Sequence, residues 1–149
     1  MADGLDVIIV DDDPAVCSIV ADIVKTFYVW GEVLTFNDVE KAVSYCRQKK
    51  EKVAIFILDV FMGNETGFGF LDAIAEQFPM AYEDTIIITG NASTDVVNMC
   101  IASNITYLIE KPIRIYALQL SIRAIVAKYI RFAKRLLADP VLAESIRGF

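Results

Sequence analysis

Five short apolar runs, each followed by a stretch with helical spacing, constrain the fold of this chain more than any other feature of its sequence. Val7–Val10 and Val53–Leu58 are apolar at every position, which is typical of strands covered on both faces. Parallel neighbours need a crossover between them, so the repeat predicts one α/β domain with a five-stranded parallel sheet and helices on both faces. The predicted strands are Leu5–Val10, Val33–Phe36, Val53–Leu58, Thr85–Ile88 and Ile105–Ile109.

Helix start signals follow several of these strands. Asp13 and Pro14 supply an N-cap and a proline at the first helical position. Asn37 and Glu40 have the spacing of a capping box, which predicts a second helix that ends near Lys49. The remaining helices are expected between the Gly63–Gly67 loop and Pro79, over Ser93–Ser103, and from after Pro112 to about Ala138.

The residue composition excludes several classes of site. The chain has no histidine, which excludes Ser-His-Asp and Cys-His catalysis, histidine-rich metal sites and phosphotransfer through a histidine of its own. Its 3 cysteines are odd in number and lie in apolar surroundings, which favours buried thiols in a reducing cytoplasm over a disulfide framework. No apolar run approaches the roughly 18–20 residues that a membrane span needs.

Reactive side chains stand at the ends of the predicted strands. Asp11 and Asp12 follow the first strand, Asp59 the third, Thr89 the fourth and Lys111 the fifth. The carboxyl ends of parallel strands share one edge of the sheet, so these side chains are expected to converge. Clustered carboxylates repel one another unless a cation neutralises them, and hard oxygen ligands suit Mg²⁺. A carboxylate beside Mg²⁺, with a lysine and a hydroxyl aimed at the same point, is an arrangement for phosphoryl transfer.

These positions also resemble a known family. Over roughly residues 5–125 the chain resembles the receiver domains of two-component response regulators. Thr89 lies 30 residues and Lys111 52 residues after Asp59, and Gly67 follows Asp59 by eight, in agreement with the family pattern. The matching stretches are VIIVDDDP (7–14), IFILDVFMGNETG (55–67), IIITGNAS (86–93) and LIEKP (108–112).

The resemblance implies a flavodoxin-like doubly wound (βα)5 fold and a phosphorylation-dependent signalling switch rather than an enzyme. It implies that Asp59 accepts a phosphoryl group from a partner histidine kinase or histidine phosphotransfer protein. Thr89 would bind that group and report its arrival, and Lys111 would bridge phosphate and carboxylate. The implied cofactor is Mg²⁺, with Asp11, Asp12, Asp59 and the backbone carbonyl of Phe61 as its protein ligands.

The chain departs from the family pattern at three places. Gly63 stands where proline is common. The switch aromatic normally lies three residues before the lysine, where this chain has Leu108, and Tyr107 precedes it by one residue. Adjacent strand residues face opposite ways, so coupling between Tyr107 and Thr89 is in question. Phe61 and Asn91 occupy positions that tune hydrolysis of the acyl phosphate in the family, and we hypothesise that Phe61 shields it from water.

The last predicted helix is longer than the domain needs. About 26 residues at 1.5 Å each reach roughly 39 Å. We divide the chain into a receiver domain over 1–125 and a helical extension over 126–149, a candidate homodimer interface or output linker. The apolar seam of the helix consists of Ile115, Leu118, Ile122, Ile125, Tyr129, Phe132 and Leu136.

Residues 1–112 carry 18 acids and 7 bases, and residues 113–149 carry 2 acids and 7 bases. An acidic body argues against nucleic-acid binding by this chain alone.

Two other functions remain open on the sequence. A haloacid-dehalogenase-like phosphatase also uses an aspartate nucleophile, and Asp11 and Asp13 have its first spacing. Position 15 is alanine where that family has Thr or Val, and no further acidic strand end follows Lys111 before Asp139. The second alternative is a receiver-like docking module that uses no phosphate.

Overall fold

The computed structural model describes residues 4–146, and it contains the predicted five-stranded parallel sheet. The last residues of the predicted extension, 147–149, lie outside the described residues. In chain order the strands are β1 (Val7–Val10), β2 (Val33–Phe36), β3 (Ile55–Asp59), β4 (Phe61–Met62), β5 (Glu65–Thr66), β6 (Thr85–Thr89) and β7 (Tyr107–Glu110). The helices are α1 (Pro14–Lys25), α2 (Val39–Gln48), α3 (Gly67–Ile74), α4 (Thr94–Ala102), α5 (Ile115–Ala138) and α6 (Pro140–Ile146).

The strand order of the large sheet creates a switch point at its centre. The order is β2-β1-β3-β6-β7, and every neighbouring pair is parallel. From β1 the chain moves outward to β2 and then returns to the other side of β1 to form β3. The connections after β1 and β3 therefore leave in opposite directions, which opens a crevice at the carboxyl ends of these two strands.

Side-chain caps begin α1 and α4, and the cap of α1 was predicted from the sequence. The Asp13 carboxylate accepts a hydrogen bond from the Ala15 N–H at 2.9 Å, and Pro14 is the first residue of the helix. Ser93 caps α4, because its hydroxyl accepts from the Val96 N–H at 3.3 Å. Both caps satisfy backbone donors that have no partner inside the helix.

The capping box predicted from Asn37 and Glu40 was wrong by one residue. Asp38 caps α2, and its carboxylate accepts from the N–H groups of Glu40 and Lys41 at 2.9 and 3.3 Å. Asp is as good an N-cap as Asn, so local preference did not separate the two neighbouring positions.

The segment expected to be a loop over Gly63–Gly67 contains a small hairpin. β4 pairs with β5 in antiparallel register, and the turn between them is Gly63–Asn64. Gly63 has a φ of 63°, which proline cannot adopt because its ring fixes φ near about −65°. The glycine at this position therefore permits the tight turn that follows Asp59.

Two hydrophobic layers cover the sheet. Alternate strand residues point to opposite faces, so Ile8 and Phe56 pack beneath α2, α3 and α4, whereas Ile9 and Ile57 pack beneath α1 and α5. Both faces of the central strands are buried, which explains their uninterrupted apolar sequence.

The buried part of α5 extends one turn beyond residue 125. Leu118, Ile122 and Ile125 are buried against the sheet, and Val126 and Tyr129 pack at the edge of the same cluster. Further along, Phe132 and Leu137 are 48% and 86% exposed. The seam residues from Leu118 to Tyr129 thus pack on the domain, whereas Phe132 beyond them and Leu137 beside the seam face solvent. Ile115, at the start of the helix, is also 54% exposed.

A buried carboxylate fastens α5 to the far end of the sheet. Asp84, which precedes β6 and is 1% exposed, accepts hydrogen bonds from the ammonium group of Lys128 and the hydroxyl of Tyr129. Burial raises the pKa of Asp84, and the two donors oppose this shift. Burial and the Asp84 carboxylate together raise the pKa of Tyr129. We call these three residues the Asp84 clamp.

Within residues 4–146, no helix combines the length and apolar character required to cross a bilayer.

Candidate functional site

Three carboxylates meet in the crevice at the switch point of the sheet. Asp59 is the last residue of β3, and Asp11 and Asp12 directly follow the neighbouring strand β1. One oxygen from each side chain can be chosen so that all three lie within 4.8 Å of one another. Asp11 is buried, Asp59 is half-buried and Asp12 is exposed. The parallel register of β1 and β3 is what brings these groups together.

Lys111 balances part of this negative charge. Its ammonium nitrogen lies 3.4 Å from Oδ2 of Asp59 and 3.7 Å from Oδ2 of Asp11. The lysine follows the edge strand β7, and its backbone N–H donates to the carbonyl of Thr89 at 2.7 Å. This bond extends the pairing of β6 and β7 past the last strand residue and directs the lysine side chain into the crevice.

Burial perturbs the carboxyl group of Asp11. Burial raises its pKa from 3.8 to about 6, and the carboxylates of Asp59 and Asp12 act in the same direction. The backbone N–H of Asp13, which donates to Asp11 at 2.9 Å, and the ammonium of Lys111 oppose the shift. A buried carboxyl that is costly to ionise is one that a bound cation would stabilise.

The hydroxyl of Thr89 is engaged by the loop that follows β6. Thr89 is 2% exposed. Its Oγ1 accepts a hydrogen bond from the Asn91 N–H at 3.2 Å and donates one to the Asn91 carbonyl at 3.2 Å. The hydroxyl is therefore at the expected strand end, and in this arrangement its hydrogen is directed to the loop.

Glu110 contacts the loop beside the site, a contact that was not predicted from the sequence. It pairs with Thr89 across β6 and β7, and its carboxylate accepts a hydrogen bond from the Ala92 N–H at 2.9 Å. The only signal in the sequence was an acid directly before Lys111, at the end of a strand that was predicted to stop at Ile109. An acid at that position is usually a solvated end residue, so the pattern carried no functional indication.

Gly67 shapes the site by allowing a close backbone approach. A Cβ atom at this position would lie 2.5 Å from the carbonyl oxygen of Asp59, too close for any side chain. The Gly67 N–H donates to the carbonyl of Val60 at 2.9 Å, which closes the hairpin segment back onto the end of β3. The glycine eight residues after Asp59 thus has a packing reason to be there.

The two candidate switch residues on β7 lie on opposite faces of the sheet. Leu108 packs with Ile87 in the layer beneath α2, α3 and α4, whereas Tyr107 packs in the layer beneath α1 and α5. Thr89 follows Ile87 by two residues and so shares the face of Leu108. The proposed part of these residues in switching stays a prediction.

Phe61 lies in the hairpin that directly follows Asp59. It begins β4, two residues after Asp59, and its side chain is 63% exposed. The proposed shielding of a group on Asp59 by this ring stays a prediction.

The donor set fits a hard divalent cation. Carboxylate oxygens are the ligands that Mg²⁺ prefers, and the described residues place no thiol or other soft ligand in this cluster. An electron-rich carboxylate, an ammonium group at 3.4 Å and a nearby hydroxyl form a site suited to accepting and stabilising a phosphoryl group.

A family comparison covers most of the chain. The sequence profile described as "Response regulator receiver domain" matches residues 7–123. The two-component response regulator EHD1 of Oryza sativa subsp. indica is 28% identical over 113 residues, which is 75% of this chain and 31% of the rice protein. The chain thus spans about a third of the length of this curated relative.

Solved structures with receiver domains share the fold. The response regulator receiver domain protein of Clostridium thermocellum has a TM-score of 0.74 at 17% identity, covering 86% of this chain and 98% of the other. The beryllofluoride-activated NtrC4 receiver domain, solved as a dimer, has a TM-score of 0.70 at 25% identity and covers 83% and 98%.

Proposed function

We propose a function on the premise that this chain belongs to the response regulator receiver domain family, whose members are signalling switches rather than classical enzymes. In the proposed function Asp59 accepts a phosphoryl group and the domain changes its interactions as a result. The observation that carries the proposal is the meeting of Asp59 with Lys111 and two further carboxylates at the switch point of the sheet.

The residues of the site have distinct roles in this proposal. A carboxylate oxygen of Asp59 attacks phosphorus in line while the bond from phosphorus to the donor breaks. Lys111, already 3.4 Å from Asp59, neutralises charge on the phosphoryl oxygens. The Thr89 hydroxyl turns from Asn91 to donate to the same group. The only turnover is the domain's own phosphoryl transfer and slow hydrolysis.

Asp11, Asp12, Asp59 and the backbone carbonyl of Phe61 are the proposed ligands of Mg²⁺. The fit rests on three carboxylates with oxygens within 4.8 Å and on the raised pKa of the buried Asp11. When bound, the cation supplies charge neutralisation at the carboxylates and at the phosphoryl oxygens.

The donor and the partners are proposed from the family and from the sequence. Because these 149 residues contain no histidine, a phosphohistidine donor must lie outside them, and we propose a histidine kinase or a histidine phosphotransfer protein. We also propose a cytoplasmic location, from the buried thiols, and a division into a receiver over 1–125 and an extension over 126–149. Self-association through the extension is supported by the 86% exposure of Leu137, and nucleic-acid binding by this chain alone is not proposed.

Beryllofluoride, a phosphoryl mimic, tests the function directly. The wild-type chain with Mg²⁺ and beryllofluoride is expected to show saturable NMR shifts at Thr89 and Lys111. Asp59→Asn is expected to show none, and Asp12→Asn is expected to need more Mg²⁺. Unchanged spectra of the wild type would favour a docking module, and steady turnover of phosphate esters would favour a phosphatase.

A further inference from the structure

The peptide group between Asn91 and Ala92 is held from both sides. Its carbonyl accepts the hydrogen of the Thr89 hydroxyl at 3.2 Å, and its N–H donates to the carboxylate of Glu110 at 2.9 Å. The N–H and C=O of a trans peptide point in opposite directions, so the two partners act on one rigid plane. Glu110 therefore fixes the acceptor that occupies the Thr89 hydroxyl.

We propose that Glu110 is a positioning residue that keeps the Thr89 hydroxyl engaged with the loop and thereby weakens the binding of a phosphoryl group at Asp59. The proposal rests on the proposed function, because it concerns the same site. It assigns a role to a residue that lies within the matching stretch LIEKP (108–112) but for which the family resemblance implied none.

Two physical effects support this role. A carboxylate that accepts from the N–H of a peptide polarises that peptide and makes its carbonyl a better acceptor for Thr89. The carboxylate also restrains the orientation of the peptide, since it is attached to a strand residue whose backbone is paired with Thr89. Both effects favour the state in which the hydroxyl hydrogen points to the Asn91 carbonyl.

The energetic consequence follows from competition between two acceptors. A phosphoryl group at Asp59 can receive the Thr89 hydrogen only if the Asn91 carbonyl gives it up. Free energy that stabilises the hydrogen bond from the Thr89 hydroxyl to the Asn91 carbonyl therefore weakens the binding of a phosphoryl group by the same amount. A hydrogen bond of ordinary net strength corresponds to about three- to tenfold in an equilibrium constant.

The test compares variants that separate the hydrogen bond from the charge of Glu110. Glu110→Ala removes the acceptor, and Glu110→Gln keeps an acceptor oxygen without the charge. Asp95→Ala is a matched control, because Asp95 is an exposed acid in the first turn of α4, after the same loop, and no hydrogen bond to its side chain occurs within residues 4–146. The measurement is the dissociation constant of beryllofluoride with saturating Mg²⁺ on the full chain.

Glu110→Ala is expected to bind beryllofluoride about three- to tenfold more tightly than the wild type. Glu110→Gln and Asp95→Ala are expected to stay within about twofold of it. The amide proton of Ala92 should move to higher field in free Glu110→Ala and much less in Glu110→Gln. This spectroscopic readout reports the hydrogen bond itself.

Three results would overturn the inference while leaving the proposed function intact. The first is an unchanged dissociation constant of beryllofluoride in Glu110→Ala. The second is an equal gain in affinity in Glu110→Ala and Glu110→Gln, and the third is an equal gain in affinity in Asp95→Ala. The last two would assign the effect to charge alone. Failure of the wild type to bind beryllofluoride would instead overturn the proposed function.

Discussion

At the scale of single residues, the buried carboxyl of Asp11 gives the site a measurable pH dependence. Its folded pKa is raised from 3.8 to about 6, so the protonated form is favoured by folding. A raised folded pKa contributes stability that is fully present below the unfolded value and is lost as pH rises through about 6. Without Mg²⁺, the wild type is expected to lose about 1 kcal/mol more stability between pH 5 and pH 7 than Asp11→Asn does.

Urea unfolding in EDTA at the two pH values measures this difference. Asp22→Asn, which changes an exposed acid of α1, should keep the pH dependence of the wild type. An identical pH dependence in the wild type and in Asp11→Asn would show that Asp11 is not the group responsible.

The ring of Phe61 is expected to lengthen the life of the acyl phosphate. It is two residues from Asp59 and 63% exposed, and the hypothesis is that it excludes water from a group attached there. Phe61→Asn replaces the ring with an amide that can orient water, and hydrolysis should accelerate about three- to tenfold. The rate of loss of phosphate from the labelled protein measures this effect. Glu65→Gln on the paired strand serves as the control, and an unchanged rate in Phe61→Asn would contradict the shielding hypothesis.

At the scale of the elements, the Asp84 clamp makes α5 part of the domain beyond the residues that the sheet covers. Asp84→Ala would remove the acceptor of both Lys128 and Tyr129 and is expected to destabilise the chain by about 2–4 kcal/mol. We place the value below that of a fully buried pair, because the Lys128 side chain is 33% exposed and can regain water. Hydrogen exchange in α5 after Tyr129 should accelerate in the same variant.

Two matched variants isolate the clamp. Tyr129→Phe removes one hydrogen bond and is expected to cost about 1 kcal/mol. Glu83→Ala removes the neighbouring exposed acid and should change the free energy of unfolding by less than about 0.5 kcal/mol. If Asp84→Ala were as stable as Glu83→Ala, the clamp would have no structural role.

The contacts of the Asp84 clamp could not be predicted from local sequence patterns. Asp84 is 44 and 45 residues away from its partners Lys128 and Tyr129. No periodicity or capping rule joins positions so far apart, and an acid before a strand is ordinarily a solvated turn residue. The helix itself was predictable from its 3.6-residue spacing, whereas the residue at which it leaves the domain depended on this contact.

At the scale of the whole molecule, the exposed second half of α5 predicts self-association. Ile130 and Leu137 are 42% and 86% exposed, and they lie one heptad apart on the same side of the helix. Sedimentation equilibrium is expected to show a dimer whose dissociation constant rises at least about tenfold when both residues become glutamate. Ile19→Glu on α1, which is also exposed, should leave the dimer unchanged. A monomer at all concentrations would exclude this interface.

The general architecture could be predicted because it depends on local signals. Uninterrupted apolar runs indicated central parallel strands, and the rule for the carboxyl ends of such strands brought Asp11, Asp59 and Lys111 to one edge. The hydrogen bond from the Ala92 N–H to the Glu110 carboxylate could not be predicted from the sequence, because it depends on the conformation of the loop that contains Ala92. The same holds for the hairpin after Asp59, whose two-residue strands are too short to give a periodic pattern.

The most direct test of the account is the intact mass of the chain after incubation with acetyl phosphate and Mg²⁺. The wild type is expected to gain the mass of one phosphoryl group, labile to hydroxylamine as an acyl phosphate is. Asp59→Asn, and the wild type in EDTA, are expected to gain none. An unmodified wild-type chain, or a phosphoryl group that persists on Asp59→Asn, would contradict the assignment of Asp59 as the phosphoacceptor.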